Sequence, residues 1–481
     1  MHYLHYNAAS LKHVLFIVFV GLAAGGNHDA ALGAIPHGPC WKTHVAASPA
    51  SEVVVIVDPF GFEGGELLPA YAESLGYQPI IVLSRPDLPS FLFGRFDRSR
   101  YPVITAESQM NFEREIRKAS GGFPIRAVLP GTESGVPLTT AIAADLGLKG
   151  NSVRMATAWR EKARMHEMLA EKKVEHARTG RAGNVVSAMD WIRKTVPDFP
   201  RTEIVVKPPS SAGTDRVFFC RTEAEIEHAL SEIVGKADAF GDIARYAVLQ
   251  ERLLGDEYIV DTVSTTVGDR TFHQMVGAWR YHRRPSAILG MADVIDYVSW
   301  VPVSELPQGM ANYAHEVLDA LEIEFGPAHL EIMYSAERGS TLIELGARLP
   351  GGLPLLAAEV TGPEFHQIHL AWDSVLDPNG FVARMSHTEG TFPTKKEAII
   401  VFLSVEETGK KLSHEGLGLL NKHEFATLNS QRVFGKPEQE LSLTTNVTNA
   451  LLRAHFVGEP DKVWEDARKL QRLHAAGTFY Q

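Results

Sequence analysis

The chain has 481 residues, 45% of them hydrophobic and 22% charged, with a formal net charge of -11. That length allows about three domains with sizeable cores, and the composition excludes a disordered or fibrous protein. The acidic balance gives no electrostatic reason to expect nucleic acid, and two cysteines, Cys40 and Cys220, exclude a disulfide framework and a cysteine-based zinc site.

In chain order, the first feature is Val14 to Ala24, VLFIVFVGLAA, which follows Lys12 and His13 and precedes small residues, in the outline of a signal peptide. It is too short to cross a bilayer as a standard helix. The preferred alternative is a dispensable N-terminal extension over residues 1–50, because the first clear strand begins only at Val53.

From Glu52 the pattern alternates between strand and helix. VVVIV at 53–57 predicts a strand, Asp58 to Gly65 a glycine-bearing turn, and the next stretch a helix ending near Gly76. Pro79 to Ser84 and Ile125 to Leu129 read as further strands, and Val136 to Leu146 has helical spacing. These are βα units of a parallel, Rossmann-like sheet. Gly61-Phe62-Glu63-Gly64-Gly65 lacks the GxGxxG spacing, so its glycines are read as the geometry of a helix start rather than a dinucleotide site. Glu133 falls just past a strand end, where ligands of open α/β sheets gather, or else serves as an N-terminal helix carboxylate.

Residues 204–219, IVVKPPSSAGTDRVFF, predict a strand ending at Lys207, a small and polar turn, and a second strand. A lysine there can set a point charge on phosphate oxygens while the backbone N–H groups of Ser210 to Thr214, Ser211 and Gly213 among them, close over them. The bland alternative is a solvated lysine. No Walker A pattern occurs, which disfavours a P-loop enzyme. In AVLQERLLGDEYIVDTVS, residues 247–264, the stretch Glu251, Arg252 and Leu253 can offer a backbone N–H and C=O pair to an adenine edge, with Glu257 reaching ribose hydroxyls. A plain hairpin turn is the alternative. Residues 275–300 read as a strand, a basic turn with Arg280, Arg283 and Arg284, and a second strand; the arginines can attract phosphate or a substrate carboxylate, with a solvated turn the preferred account of at least two of them.

AHLEIMYSAERGSTLIELGARLPGG, residues 328–352, sets two carboxylates on consecutive strand-like runs joined by a turn at Ala336 to Ser340. Side chains alternate along a strand, so His329, Glu331 and Met333 share a face, as do Glu344, Gly346 and Arg348. Glu331 and Glu344 suit a magnesium ion held against nucleotide phosphates, or else lie on the polar face of an ordinary hairpin. Beyond Gly380, Ala398 to Ser404 predicts an apolar strand, and Asp461 to Leu473 an amphipathic helix through Val463, Trp464, Ala467 and Leu470. No internal repeat or low-complexity tract is visible.

Taken together, the blocks resemble the ATP-grasp superfamily over roughly residues 52–380, in that family's order. Within it the chain is similar to the L-amino-acid ligases, the dipeptide synthetases, through HLEIM, the thirteen-residue spacing from Glu331 to Glu344, and the arginine of ELGARLPGG. The resemblance implies an α/β ATP-grasp fold with an N-terminal Rossmann-like domain at 51–155, a core at 156–380 whose small lobe ends near 250, and a small C-terminal α/β lobe at 381–481. It makes Lys162 and Lys207 the nucleotide lysines, Gln250 to Leu253 the adenine hinge, Glu257 the ribose carboxylate, and Glu331 and Glu344 the magnesium ligands. Arg348 becomes the group that steadies an acyl phosphate and tetrahedral intermediate. Asp293 or Asp296, with Asp296 preferred, meets the substrate ammonium group. One departure is Gly346, where many relatives place an asparagine, so that water or phosphate must supply a third metal ligand.

The activity implied is ATP-dependent ligation of two amino acids through an acyl phosphate, with two Mg2+ ions or Mn2+ in their place, releasing ADP and phosphate. Amino acids are the expected partners, with no nucleic acid, no stable membrane association, a cytoplasmic setting, and a homodimer allowed. Alternatives are ligation of a non-amino-acid carboxylate and a nucleotide-binding regulatory protein without catalysis. The sequence names neither the amino acids nor their order.

Overall fold

A computed structural model describes residues 51–481 apart from 61–63, 89–95, 108–109, 289, 363–364, 389–394, 421–423, 435–439 and 448. The signal-like run Val14 to Ala24 and the turn residues Gly61, Phe62 and Glu63 lie outside the described residues. Among those described, no helix is long and apolar enough to cross a membrane.

The first sheet contains β1 (Val53–Val57), β2 (Gln78–Leu83), β3 (Val103–Thr105) and β4 (Ile125–Pro130) in the order β3-β2-β1-β4, every pairing parallel. All five residues of β1 are fully buried, which a central parallel strand covered on both faces requires and an unbroken β-branched run supplies. The helix Leu68–Ser74 follows β1, and Val136–Leu146 follows β4 and stops at Gly147, whose φ of 65° lies in the left-handed region. Strands and helices thus fall where the sequence places them.

A second sheet is antiparallel, with β5 (Thr179–Ala182), β6 (Ile204–Lys207), β7 (Phe218–Cys220) and β8 (Ala247–Glu251) in the order β5-β8-β6-β7. The helices Val185–Thr195 and Glu223–Ile233 cover it through Ala188, Ile192, Ile226 and Leu230. Cys220 is buried in this core, and burial pushes its thiol up to about 12.

The third sheet has eight strands: β9 (Asp256–Val267), β10 (Arg270–Arg284), β11 (Val294–Trp300), β12 (Gly326–Ser335), β13 (Gly339–Gly346), β14 (Glu397–Leu403), β15 (Leu428–Val433) and β16 (Leu452–Gly458). Their order is β13-β12-β9-β10-β11-β14-β16-β15. Beyond residue 380, β14 pairs with β11 and extends the large sheet. One point differs from the sequence reading. Arg280, Arg283 and Arg284 are not in a turn, since β10 runs through Arg284.

The helix Met310–Ala320 fills one face of this sheet through Val317 and Leu318 against Leu330 and Val260. The helix Pro460–Ala475 does the same for the later strands, setting Val463, Ala467 and Leu470 against Val401 and Phe456. On another face, Trp279 and Trp300 meet edge to face with ring centroids 5.0 Å apart.

Candidate active site

A cavity of about 670 Å³ lies where the three sheets converge. Its walls come from the strand-end loops of the first sheet (Phe60, Gly131, Glu133), from β6 and its following loop, from the link between β8 and β9, and from β10 to β14. The link decides one question left open by sequence. Because β8 and β9 belong to different sheets, residues 252–255 cross from one to the other and are no hairpin turn.

The carboxylate pair follows from strand register. Glu331 and Glu344 are direct cross-strand partners in β12 and β13, so the two side chains share one face, and both line the cavity. Each is surrounded by compensating groups. Lys162 Nζ lies 3.1 Å from Glu344 Oε2 and donates to the Ser211 carbonyl at 2.6 Å. Burial opposes ionisation of Glu344, yet Lys162 and Lys207 hold its carboxyl well below the usual range. His329 Nδ1 is 2.8 Å from Asp261 Oδ1, and its Nε2 is 3.7 Å from Glu331 Oε1. Burial works against the charged imidazole, but bonds to Asp261 and Glu331 raise it to about 9.

Lys162 is positioned by the start of its own helix, Lys162–Glu171. Glu161 caps that helix, accepting from the N–H groups of Ala163 and Arg164. Lys207 ends β6 and is buried, so the solvated alternative does not apply. It donates to Gln250 Oε1 at 2.9 Å, and the Gln250 amide nitrogen lies 2.9 Å from His166 Nε2. Burial pulls Lys207 down to about 8 against the opposing field of Glu344. In the loop that follows, Ser211 hydroxyl donates to Asp215 at 2.7 Å, and Gly213 adopts a φ of 69°. Ser211 and Gly213 both line the cavity.

The hinge residues divide by side chain. Glu251 is locked in place by Arg178 at 2.6 Å and Arg338 at 2.9 Å, so its carboxylate holds strands together while its backbone faces the link. Arg252 pairs with Glu203 and Asp293 and stacks its guanidinium over Phe219 at 3.9 Å. The Leu253 N–H has no hydrogen-bond partner among the described residues. Glu257 is buried and bonded by both Arg283 Nε at 2.5 Å and Arg283 Nη2 at 2.8 Å. Arg280 pairs with Asp256, and Arg284 with Asp296 and Glu406, so none of the three arginines is simply solvated.

Arg348 and Glu133 meet in the same cavity, with Arg348 Nε 2.8 Å from Glu133 Oε2, and Arg160 Nη1 lies 3.3 Å from the other Glu133 oxygen. Gly346 makes this contact feasible. A Cβ there would fall 2.9 Å from both Arg348 Cζ and Glu133 Oε2, so the side-chain space of residue 346 is taken by the ion pair. Asp293 lines the cavity, whereas Asp296, the preferred ammonium partner, is not among the lining residues. Instead Asp296 lies 3.7 Å from Arg284 and accepts from Gln471 at 3.3 Å. Sequence reasoning missed Arg160, His166 and Arg453. Arg160 and His166 carried a local signal, standing two residues before and four residues after Lys162, while Arg453 reaches the site only through long-range packing.

Among the described residues no three His, Cys, Asp or Glu side chains gather as a ready-made metal cage. Glu331 and Glu344 still fit magnesium, being hard oxygen donors paired on a cavity wall beside Lys162 and Lys207.

An ATP-grasp domain model matches residues 200–355. The chain is 28% identical over 361 residues to dapdiamide A synthase of Enterobacter agglomerans, covering 73% of this chain and 80% of that protein. Its fold is similar to that of an L-amino acid ligase from Bacillus licheniformis, with a TM-score of 0.63 and 16% identity over 89% of this chain and 98% of the other. It is also similar to a carboxyaminoimidazole ribonucleotide synthase from Aspergillus clavatus solved with ATP, with a TM-score of 0.59 and 13% identity over 89% and 99% of the two chains. With the carboxylate pair, the two lysines and the link between sheets in the places described, residues 200–355 match the ATP-grasp domain, and the fold around them is similar to that of an L-amino acid ligase.

Proposed function

We propose that this carboxylate–amine ligase joins two amino acids into a dipeptide, activating the first as an acyl phosphate and releasing ADP and phosphate. The observation that carries this reading is the facing pair Glu331 and Glu344 with Lys162, Lys207 and Arg348 on the walls of one cavity. An unactivated carboxylate resists attack by an amine, and phosphorylation turns its oxygen into a good leaving group. Transfer of a phosphoryl group needs charge neutralisation and alignment more than a covalent protein nucleophile.

Lys162 and Lys207 place fixed charge on phosphate oxygens, and the loop from Ser211 to Thr214 closes over them with backbone N–H groups. The Glu251 carbonyl and Leu253 N–H take the adenine edge, and Glu257, held by Arg283, takes the ribose hydroxyls. Glu331 and Glu344 would hold magnesium, which supplies further charge neutralisation and orients the phosphates. Arg348 steadies the acyl phosphate and the tetrahedral intermediate, and Glu133 sets the direction of its guanidinium. Asp293, as the acidic candidate on the cavity wall, takes the substrate ammonium group. The setting proposed is cytoplasmic.

Gly346 does not favour a protein without catalysis, because its missing side chain leaves the room that Arg348 and Glu133 occupy. The test is a screen of amino-acid pairs for nucleotide products with magnesium present. ADP and phosphate formed only when both amino acids are supplied supports the reading; AMP and pyrophosphate would point to adenylation and sink it.

A further inference from the structure

The cavity has a second end that the phosphate chemistry leaves unused. Ile295 and Val298 of β11, Leu353, Ile400 and Phe402 of β14, and Val447 form an apolar wall there. Val447 also closes on the loop after β6, since a Cβ at Gly213 would lie 3.2 Å from Val447 Cγ2. Into this surface β16 delivers a buried arginine, Arg453. Its position is dictated by register: Arg453 is the cross-strand partner of Phe402, so the two side chains stand on one face and both line the cavity. On its other flank the guanidinium packs on the glycine turn after Arg348. A Cβ at Gly352 would fall 2.7 Å from Arg453 Nη1, and Gly352 also adopts a φ of 82°. Five residues of chain, Arg348 to Gly352, therefore join the arginine assigned to the acyl phosphate to the backbone against which Arg453 rests.

From this juxtaposition we infer that Arg453 binds the α-carboxylate of the amine-donating substrate, and that the surrounding apolar wall receives that substrate's side chain. A planar guanidinium grips a carboxylate through two parallel N–H bonds, and a low-dielectric surround makes that contact selective for a charged group over a neutral one of the same shape. The inference rests on the ligase reading and adds a residue that specifies one substrate. It also gives the C-terminal strands a chemical role, because β16 brings to the cavity a charge that the ATP-grasp segment at 200–355 does not contain.

The experiment compares an apolar amino acid with its carboxamide as the amine donor, the first amino acid and ATP being saturating. In Arg453→Met the KM for the free acid is expected to rise about 10- to 100-fold, with kcat changed far less, while the KM for the amide moves less than about threefold. Should Arg453→Met give no soluble protein, Arg453→Lys is measured in the same way. It keeps the charge and loses the fork, and a smaller shift in the same direction is expected. Hydroxylamine replaces the amine donor in a parallel assay of the wild-type protein, where ATP-dependent hydroxamate formation supports the ligase reading without reference to Arg453. Absence of both hydroxamate and ADP release sinks that reading, and this inference with it. Hydroxamate formation together with an unchanged ratio of acid to amide KM in the variant overturns the role of Arg453 alone.

Discussion

The two ends of the cavity are built on opposite principles. At the charged end Glu331, Glu344, Lys162, Lys207 and Arg348 crowd together, and each acid has a basic partner or a histidine within reach. At the other end Arg453 stands beside apolar side chains from β11 and β14. A dense set of mixed charges holds itself in place and stays ready for a highly charged ligand, but it cannot distinguish one carboxylic acid from another. A guanidinium set in a largely apolar wall does the reverse: it contributes little to handling phosphate and much to choosing a substrate. The charged end is thus expected to serve every acceptor equally, and the apolar end to set which acceptor is used.

Mutations at the charged end should therefore fall on all substrates alike. Glu331→Gln and Glu344→Gln keep shape and remove a negative charge, so each should lower magnesium-dependent ATP turnover by about 100-fold or more with every amino-acid pair. Glu344→Gln should in addition cost stability, about 1–3 kcal/mol by thermal or urea unfolding, because it leaves Lys162 and Lys207 without the acid between them. If turnover fell with some amino acids and not others, the division of labour between the two ends would be broken.

A smaller effect sharpens the boundary between them. Gly346→Asn puts a side chain where Arg348 and Glu133 meet, so kcat for ligation should drop about tenfold as the guanidinium is displaced. Affinity for ATP should change much less, as measured by calorimetry. An unchanged kcat would mean that the ion pair does not position Arg348 for chemistry.

The smallest expected effect is a pH dependence with two signs. Burial lowers Lys207 to about 8, so its charge is lost as pH rises through that value, and ATP affinity should weaken severalfold between about pH 7 and pH 9. Folding stability should move the other way. Above that pKa the folded state has released a proton that the unfolded chain still binds, so the Lys207 contribution to stability rises with pH up to the ordinary lysine range. Lys207→Met should flatten both trends, and a wild-type ATP affinity level across that range would show that Lys207 carries no phosphate charge.

How much of this could be read from the sequence depended on how local the cause was. The β-branched run of β1 and the spacing of Val136–Leu146 report burial directly, so the parallel sheet was legible. Glu331 and Glu344 were legible because strand alternation and a short turn fix their register within twenty residues. Lys207 could be placed at a strand end but not shown to be buried, since its cover comes from Gln250 and His166 on distant elements. That Asp293 and not Asp296 lines the cavity was illegible for a similar reason. Which of the two reaches the cavity depends on the strands packed beside β11, and one of these, β14, arrives about a hundred residues later in the chain. Arg453 had no signal at all until β16 was paired with β14, because an arginine in an apolar run reads as a solvated edge residue.

The most direct test of the central claim separates nucleotide binding from ligation at the point where the two ends meet. Calorimetric titration of Arg348→Ala with Mg-ATP, alongside product analysis from a working amino-acid pair, makes that separation. The account predicts near-normal nucleotide affinity with dipeptide formation abolished. Ligation at the wild-type rate would remove Arg348 from the site, and an equal loss of nucleotide binding would contradict the account by assigning Arg348 to the phosphate pocket.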